Sequence, residues 1–172
     1  LVGKFAEKFA EKSGLELCDP RTPDRVKLWK EAKEKFERGE VKYLTKAIDL
    51  VREFPDLVET VGAVAIDSDG NVAASTSTGG LMLKLPGRIG DTPVIGAGNY
   101  ADNDGGAVSC TGIGEVAVRL CLAKTGCDHM KGGLPAYESV KRCIELVRDR
   151  QGGLDMGVIA IDRNYHYGLA HN

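Results

Sequence analysis

At Thr60 the sequence changes character, and this boundary constrains the fold more than any other feature. Upstream, Lys and Glu separate apolar residues at the 3.6-residue period of amphipathic helices. Downstream, small, β-branched and glycine residues take over in the short runs expected of strands. Most of the 22 glycines lie on the downstream side, where they mark tight turns and close backbone approach. Residues 1–59 and 60–172 are nonetheless read as one domain, because 172 residues is an ordinary single-domain length. The expected class is α+β.

Three helices are expected upstream. The first carries Phe5, Phe9 and Ala10 on one face. The second starts at Thr22-Pro23, an N-cap followed by proline at the first helical position. Its stripe is Val26, Trp29, Ala32 and Phe36, closed by Gly39, with Trp29 read as core. The third runs through Tyr43, Ala47, Ile48 and Val51 until Pro55 stops it. Downstream, strands are expected at TVGAVAID, NVAASTST, AVSCT, MGVIAID and YHYGLA. Two helices interrupt them: GEVAVRLCLAKTG, ended by Gly126, and PAYESVKRCIELVRDR, with Tyr137, Val140, Ile144 and Val147 at helical spacing. VAID and IAID echo one another, each followed by a turn and a return strand, so two hairpins built alike are expected. TVGAVAID is apolar on both faces, which predicts a strand covered on both sides and helices flanking a stacked pair of sheets.

Composition removes several function classes. A net charge of −2 with scattered Lys and Arg gives no basic stripe for a nucleic-acid backbone. No window reaches the ~18 apolar residues of a membrane span. The 5 cysteines lack the paired spacing of a zinc site and read as reduced thiols, which predicts a cytoplasmic protein. Cys110 reads as a small buried filler. Leu1 at the start and YGLAHN at the end, inside an extended segment, predict a processed or truncated piece.

The first hairpin yields a geometric expectation. Ser68-Asp69-Gly70 suits a three-residue loop with glycine left-handed, pairing Asp67 with Asn71. Counting outward, Thr60 faces Thr78, and directly opposed Cβ atoms lie only ~4.5–5.5 Å apart. Gly79-Gly80 then leaves open backbone for a small ligand. Threonine pairs are common in strands, so the hairpin alone proves nothing. Further along, Arg88 and Asp91 share one glycine-flanked loop, and Thr111-Gly112-Ile113-Gly114 follows a short strand. A guanidinium and a carboxylate together suit the two ends of an amino acid; a local Arg88–Asp91 ion pair is the plainer alternative.

Other motifs fail. GAGNYA matches a loose dinucleotide pattern, yet Asp102-Asn103-Asp104-Gly105-Gly106 breaks the helix that would have to follow. DSDGN and DNDGG lack the remaining ligands of a calcium loop and read as turns. His129, His166 and His171 read as surface or packing residues.

TVGAVAIDSDGNVAASTSTGG followed by PGRIGDTPVIGAGNYADNDGGAVSCTGIGE resembles the plant-type (type 2) L-asparaginase/isoaspartyl peptidase family of N-terminal-nucleophile hydrolases. The resemblance is dense from Thr60 to about Glu115 and looser to the end, with residues 1–59 similar to the helical close of that family's α subunit and its linker. It implies a four-layer αββα sandwich and self-cleavage at Glu59–Thr60, making Thr60 the nucleophile at the head of a β subunit. It further implies that Thr78 tunes the Thr60 hydroxyl, that Arg88 holds the substrate carboxylate and Asp91 its amine, that Thr111 and Gly112 form an oxyanion hole, and that Gly114 lines the pocket. The expected activity is hydrolysis of L-asparagine and β-aspartyl peptides by a dimer of αβ units, without a required cofactor. A structural sodium ion belongs to the family, but its loop and the HGGAG-like segment are not visible in this sequence, and Glu59 stands where a small residue is usual. A glycosylasparaginase is similar through KLPGRIGDTP, although TSTGG stands where that branch tends to have TSTNG. A threonine aspartase-like endopeptidase fits Arg88 and Asp91 less well. The non-enzymatic alternative is an uncleaved fragment with a binding or structural role.

Overall fold

Polar turn chemistry shapes both hairpins of this protein, whose computed structural model describes residues 1–40, 60–85 and 87–172. Strand β1 (Thr60–Ile66) returns as β2 (Val72–Thr78). Asp67 closes the turn: its Oδ1 accepts from the backbone N–H groups of Asp69 and Asn71 at 2.9 and 2.8 Å, and Gly70 adopts φ +84°. The register pairs Thr60 with Thr78, as the loop count requires. The second hairpin, β5 (Met156–Asp162) and β6 (Tyr167–His171), repeats the device. Asp162 Oδ1 accepts from Asn164 and His166 at 2.8 and 3.0 Å, and Tyr165, φ +65°, stands where the first turn has glycine. Tyr165 also donates its hydroxyl to the Asp67 carbonyl at 3.2 Å.

Two further strands, β3 (Asn99–Asp102) and β4 (Gly106–Gly112), complete a four-stranded antiparallel sheet in the order β3-β4-β5-β6. The β1–β2 hairpin stacks on one face of that sheet. On the other lie α4 (Leu122–Lys131) and α5 (Ala136–Gln151). Val108, Cys110 and Val158 meet Leu122, Val140, Cys143 and Val147 there in the hydrophobic core. The buried pattern runs through β4, so β4, not β1, is the strand covered on both faces. β1 instead alternates between half-buried and exposed residues, and Val61 is 68% exposed. The expectation of cover on both sides of TVGAVAID is therefore corrected: alanine, valine and glycine on both faces erased the alternation from the sequence alone.

Two more differences concern helices. GEVAVRLCLAKTG is not one helix ended by Gly126, because Cys121 takes a left-handed conformation (φ 44°, ψ 49°) that separates α3 (Gly114–Leu120) from α4. Gly126 lies inside α4, where an added Cβ would come within 3.2 Å of Cys143 Sγ; its smallness lets α4 sit close to α5. Upstream, α1 (Lys4–Lys12) buries none of its residues. In α2 (Pro23–Glu37), the Thr22 side chain accepts from the Arg25 N–H at 3.4 Å, and Ala32 is buried. Trp29 is 42% exposed, contrary to its reading as core. The helix expected through Tyr43, Ala47, Ile48 and Val51, its stop at Pro55, and Glu59 lie outside the described residues.

Candidate active site

The site is assembled where the open end of the β1–β2 hairpin meets the loop before β3 and the end of β4. Thr60 opens β1 and Thr78 closes β2, and their pairing brings the hydroxyls together: Thr60 Oγ1 donates to Thr78 Oγ1 at 3.1 Å. The Gly80 N–H also donates to Thr78 Oγ1, at 2.9 Å. Two donors on one acceptor fix the direction of the Thr60 proton and leave the lone pairs of Thr60 Oγ1 unengaged by that bond. Thr60, Thr78, Gly80, Leu81, Arg88, Gly90, Asp91, Gly112 and Gly114 enclose a cavity of about 10 Å³.

Asp91 is the unusual wall. It is 5% exposed, and among the described residues its Oδ2 has no hydrogen-bond partner. Burial pushes its carboxyl above the ordinary range, outweighing the backbone N–H groups and the Arg88 charge that pull it down. Close-fitting glycines hold it there: a Cβ on Gly98 would lie 2.6 Å from the Asp91 carbonyl oxygen, and one on Gly114 would lie 3.0 Å from Asp91 Oδ1. The neighbouring Thr92 Oγ1 likewise has no partner among the described residues. A buried carboxylate oxygen left bare costs free energy. An ammonium group placed beside it would remove that cost.

Arg88 is not paired with Asp91. Its guanidinium forks onto Glu115, Nε to Oε1 at 2.9 Å and Nη2 to Oε2 at 2.8 Å. Partial burial would raise the Glu115 carboxyl, but the Arg88 fork prevails and holds it below the usual range. The plainer reading of Arg88 and Asp91 as a turn ion pair is thus corrected. Glu115 was missed in the sequence because the contact spans 27 positions, and only its place in the first turn of α3 hinted at a role.

Gly112 lines the cavity with φ +128°, a backbone conformation closed to most side chains. Thr111 precedes it but does not line the cavity: its Cγ2 lies 2.9 Å from where a Cβ on Gly157 would be. Cys110 is buried in the core, and burial pushes its thiol well up, so it is no nucleophile. His129 and His171 do not line the cavity, and His166 Nδ1 is 3.1 Å from Asp162 Oδ2 at the second turn. The DNDGG segment is a turn whose Asp102 and Asp104 both meet Lys131. Among the described residues no cluster of three or more His, Cys, Asp or Glu is arranged to hold a metal ion, and no helix is long and apolar enough to cross a membrane.

Residues 1–172 match the family described as Asparaginase. The chain is 47% identical over 173 residues to a plant-type L-asparaginase of Pyrococcus horikoshii, covering 100% of this chain and 56% of that protein. A plant-type L-asparaginase of Pyrococcus abyssi is 48% identical over the same shares. An isoaspartyl peptidase/L-asparaginase of Rattus norvegicus is 38% identical across 95% of the chain and 46% of its own length. The chain thus spans about half the length of the curated relatives it matches.

Proposed function

Because this chain belongs to the asparaginase family, we propose that it hydrolyses L-asparagine to L-aspartate and ammonia, and cleaves β-aspartyl peptides, through an acyl-enzyme on Thr60. The observation that carries this reading is the bare Asp91 Oδ2, buried in the same cavity wall as the Thr60–Thr78 hydroxyl pair. A small zwitterion brings the ammonium that Asp91 lacks. Its carboxylate goes to Arg88, whose side chain is only 14% exposed.

The chemistry follows from the first residue of β1. Scission of Glu59–Thr60, whose first residue lies outside the described residues, turns an amide nitrogen into an α-amine of pKa ~7.7–8.0. That amine is the general base for the adjacent hydroxyl. Thr60 Oγ1 attacks the side-chain amide carbon, the C–N bond breaks, and the hydroxyl proton ends on the departing amine. Water then cleaves the ester. The Gly112 N–H stabilises the oxyanion, and a single such donor is typically worth ~2.7–4 kcal/mol of barrier. A cavity of about 10 Å³ is roughly the space of one water, so substrate entry requires a wall to move.

The same reading carries the four-layer αββα arrangement, a dimer of αβ units and a cytoplasmic setting. No step of it runs through a metal ion. Mass spectrometry and an ammonia-release assay test the proposal together. Two species breaking at Glu59–Thr60 with asparagine turnover, both abolished in Thr60→Ala, are expected. A Thr60→Ala protein that still splits, or a split protein that leaves asparagine and β-aspartyl peptides intact, overturns it.

A further inference from the structure

A second cavity, of about 740 Å³, opens between α2 and the Gly79–Lys84 stretch. Gly80 and Leu81 belong to its wall and to the wall of the catalytic cavity. We propose that it is the subsite for the departing part of a β-aspartyl peptide, taking a residue with an apolar side chain and a free carboxylate; this rests on the reading of Thr60 as nucleophile.

Three observations converge on that ligand. Size is the first, since about 740 Å³ falls within the ~300–1,000 Å³ of ordinary ligand sites, whereas the catalytic cavity, at about 10 Å³, has roughly the space of one water. Apolar lining is the second: Val26, Trp29, Leu81 and Leu83 face it, and Trp29 is a large aromatic left 42% exposed. Charge is the third. The lining holds Arg21, Arg25, Lys30 and Lys84 and no Asp or Glu. Arg21 is already forked onto Asp19 at 2.8 and 2.6 Å, and Lys84 Nζ donates to the Gly79 carbonyl at 2.7 Å. Arg25 already has a partner of its own, whereas Lys30, next to Trp29 in α2, has no ion pair among the described residues and is the cation assigned to the carboxylate.

The step balances without a further reactant. The acyl carbon bonds to Thr60 Oγ1 as its bond to nitrogen breaks, and the departing residue leaves as an amine carrying the hydroxyl proton. Its side chain and carboxylate are held in the second cavity until it diffuses away. Ammonia from asparagine makes no use of this subsite. Asparagine and peptide turnover should therefore respond differently to changes there.

Trp29 is the sole tryptophan, so its emission reports on the cavity whether or not turnover occurs. The 172-residue protein is titrated with β-aspartyl-phenylalanine and with the same dipeptide amidated at its C terminus. A saturable emission change is expected, about tenfold weaker for the amide and for Lys30→Glu, the low end for one charge-assisted hydrogen bond at a partly solvated site. In the assay, Lys30→Glu should lower kcat/KM for the dipeptide about tenfold and leave asparagine within about twofold. Equal affinity for acid and amide, or asparagine and dipeptide slowed alike, overturns the subsite. An emission response that follows the carboxylate while neither substrate is cut supports the ligand class and overturns the hydrolase reading instead.

Discussion

Asp91→Asn should make the protein more stable and nearly inactive. The carboxylate is buried with one oxygen bare, and a buried unsatisfied polar group costs about 1–3 kcal/mol, more when charged. Asparagine keeps a polar group at the site, so the relief is the ionic part, about 1 kcal/mol, or about 2–4 °C in Tm for a chain of this size. The pH dependence has a definite sign. The folded-state pKa is raised, with burial as the main cause, so the cost of ionisation is full above that raised value and vanishes below the unfolded value near ~3.9. The advantage of the variant should be present at pH 7 and gone by about pH 3.5. Melting curves across that range, in a Thr60→Ala background that keeps both proteins as single chains, measure it. In the Thr60 protein, losing one partner of a buried charge pair costs about 2–5 kcal/mol, so kcat/KM for asparagine should fall between about 30-fold and several thousand-fold. An Asp91→Asn protein that melts lower at pH 7, or a difference independent of pH, would show that the carboxylate is already compensated.

Glu115→Gln removes the charge that holds the Arg88 fork, so the KM for asparagine should rise about tenfold with kcat nearly unchanged, the loss expected of weakened uniform binding; a fall in kcat alone would place Glu115 elsewhere in the reaction. Gly62→Ala puts a methyl group onto the Ser109 hydroxyl and 2.9 Å from its Cβ. Ser109 is buried and bonded to Thr76 at 2.7 Å, so the substitution should cost about 1–3 kcal/mol and lower Tm by several degrees; an unchanged melting curve would refute the close stacking of the hairpin on β4. Gly112→Ala forces a side chain onto the Asp155 carbonyl at a φ of +128°, and soluble yield together with asparagine turnover should both drop.

What could be read from the sequence was what is local. The Thr60–Thr78 pairing followed from a five-residue turn, Asp67 to Asn71, whose bonds close within itself. The Thr22 cap and the Pro23 start of α2 are equally local. What escaped depends on distant partners or on backbone angles that no residue type announces. Cys121 bends left-handed between two helices, a conformation usually given to glycine or asparagine. β3 is four residues long and polar at both ends, too short for a period to show. Arg88 found Glu115 across the fold instead of the carboxylate three positions away. The exposure of Trp29 and Val61 depends on which surfaces the rest of the chain covers, and helical or strand spacing carries no information about that.

The hydroxyl of Tyr165 on the Asp67 carbonyl bears on what the proposed scission at Glu59–Thr60 would do at the far end of the same hairpin. A newly made chain end tends to fray, and Thr60 has β2 alone beside it among the described residues. The tether fastens the hairpin tip to a residue 98 positions away along the chain, so loosening at Thr60 would leave the tip of its ribbon anchored. The proposed nucleophile thereby has an anchor at the opposite end of its own ribbon.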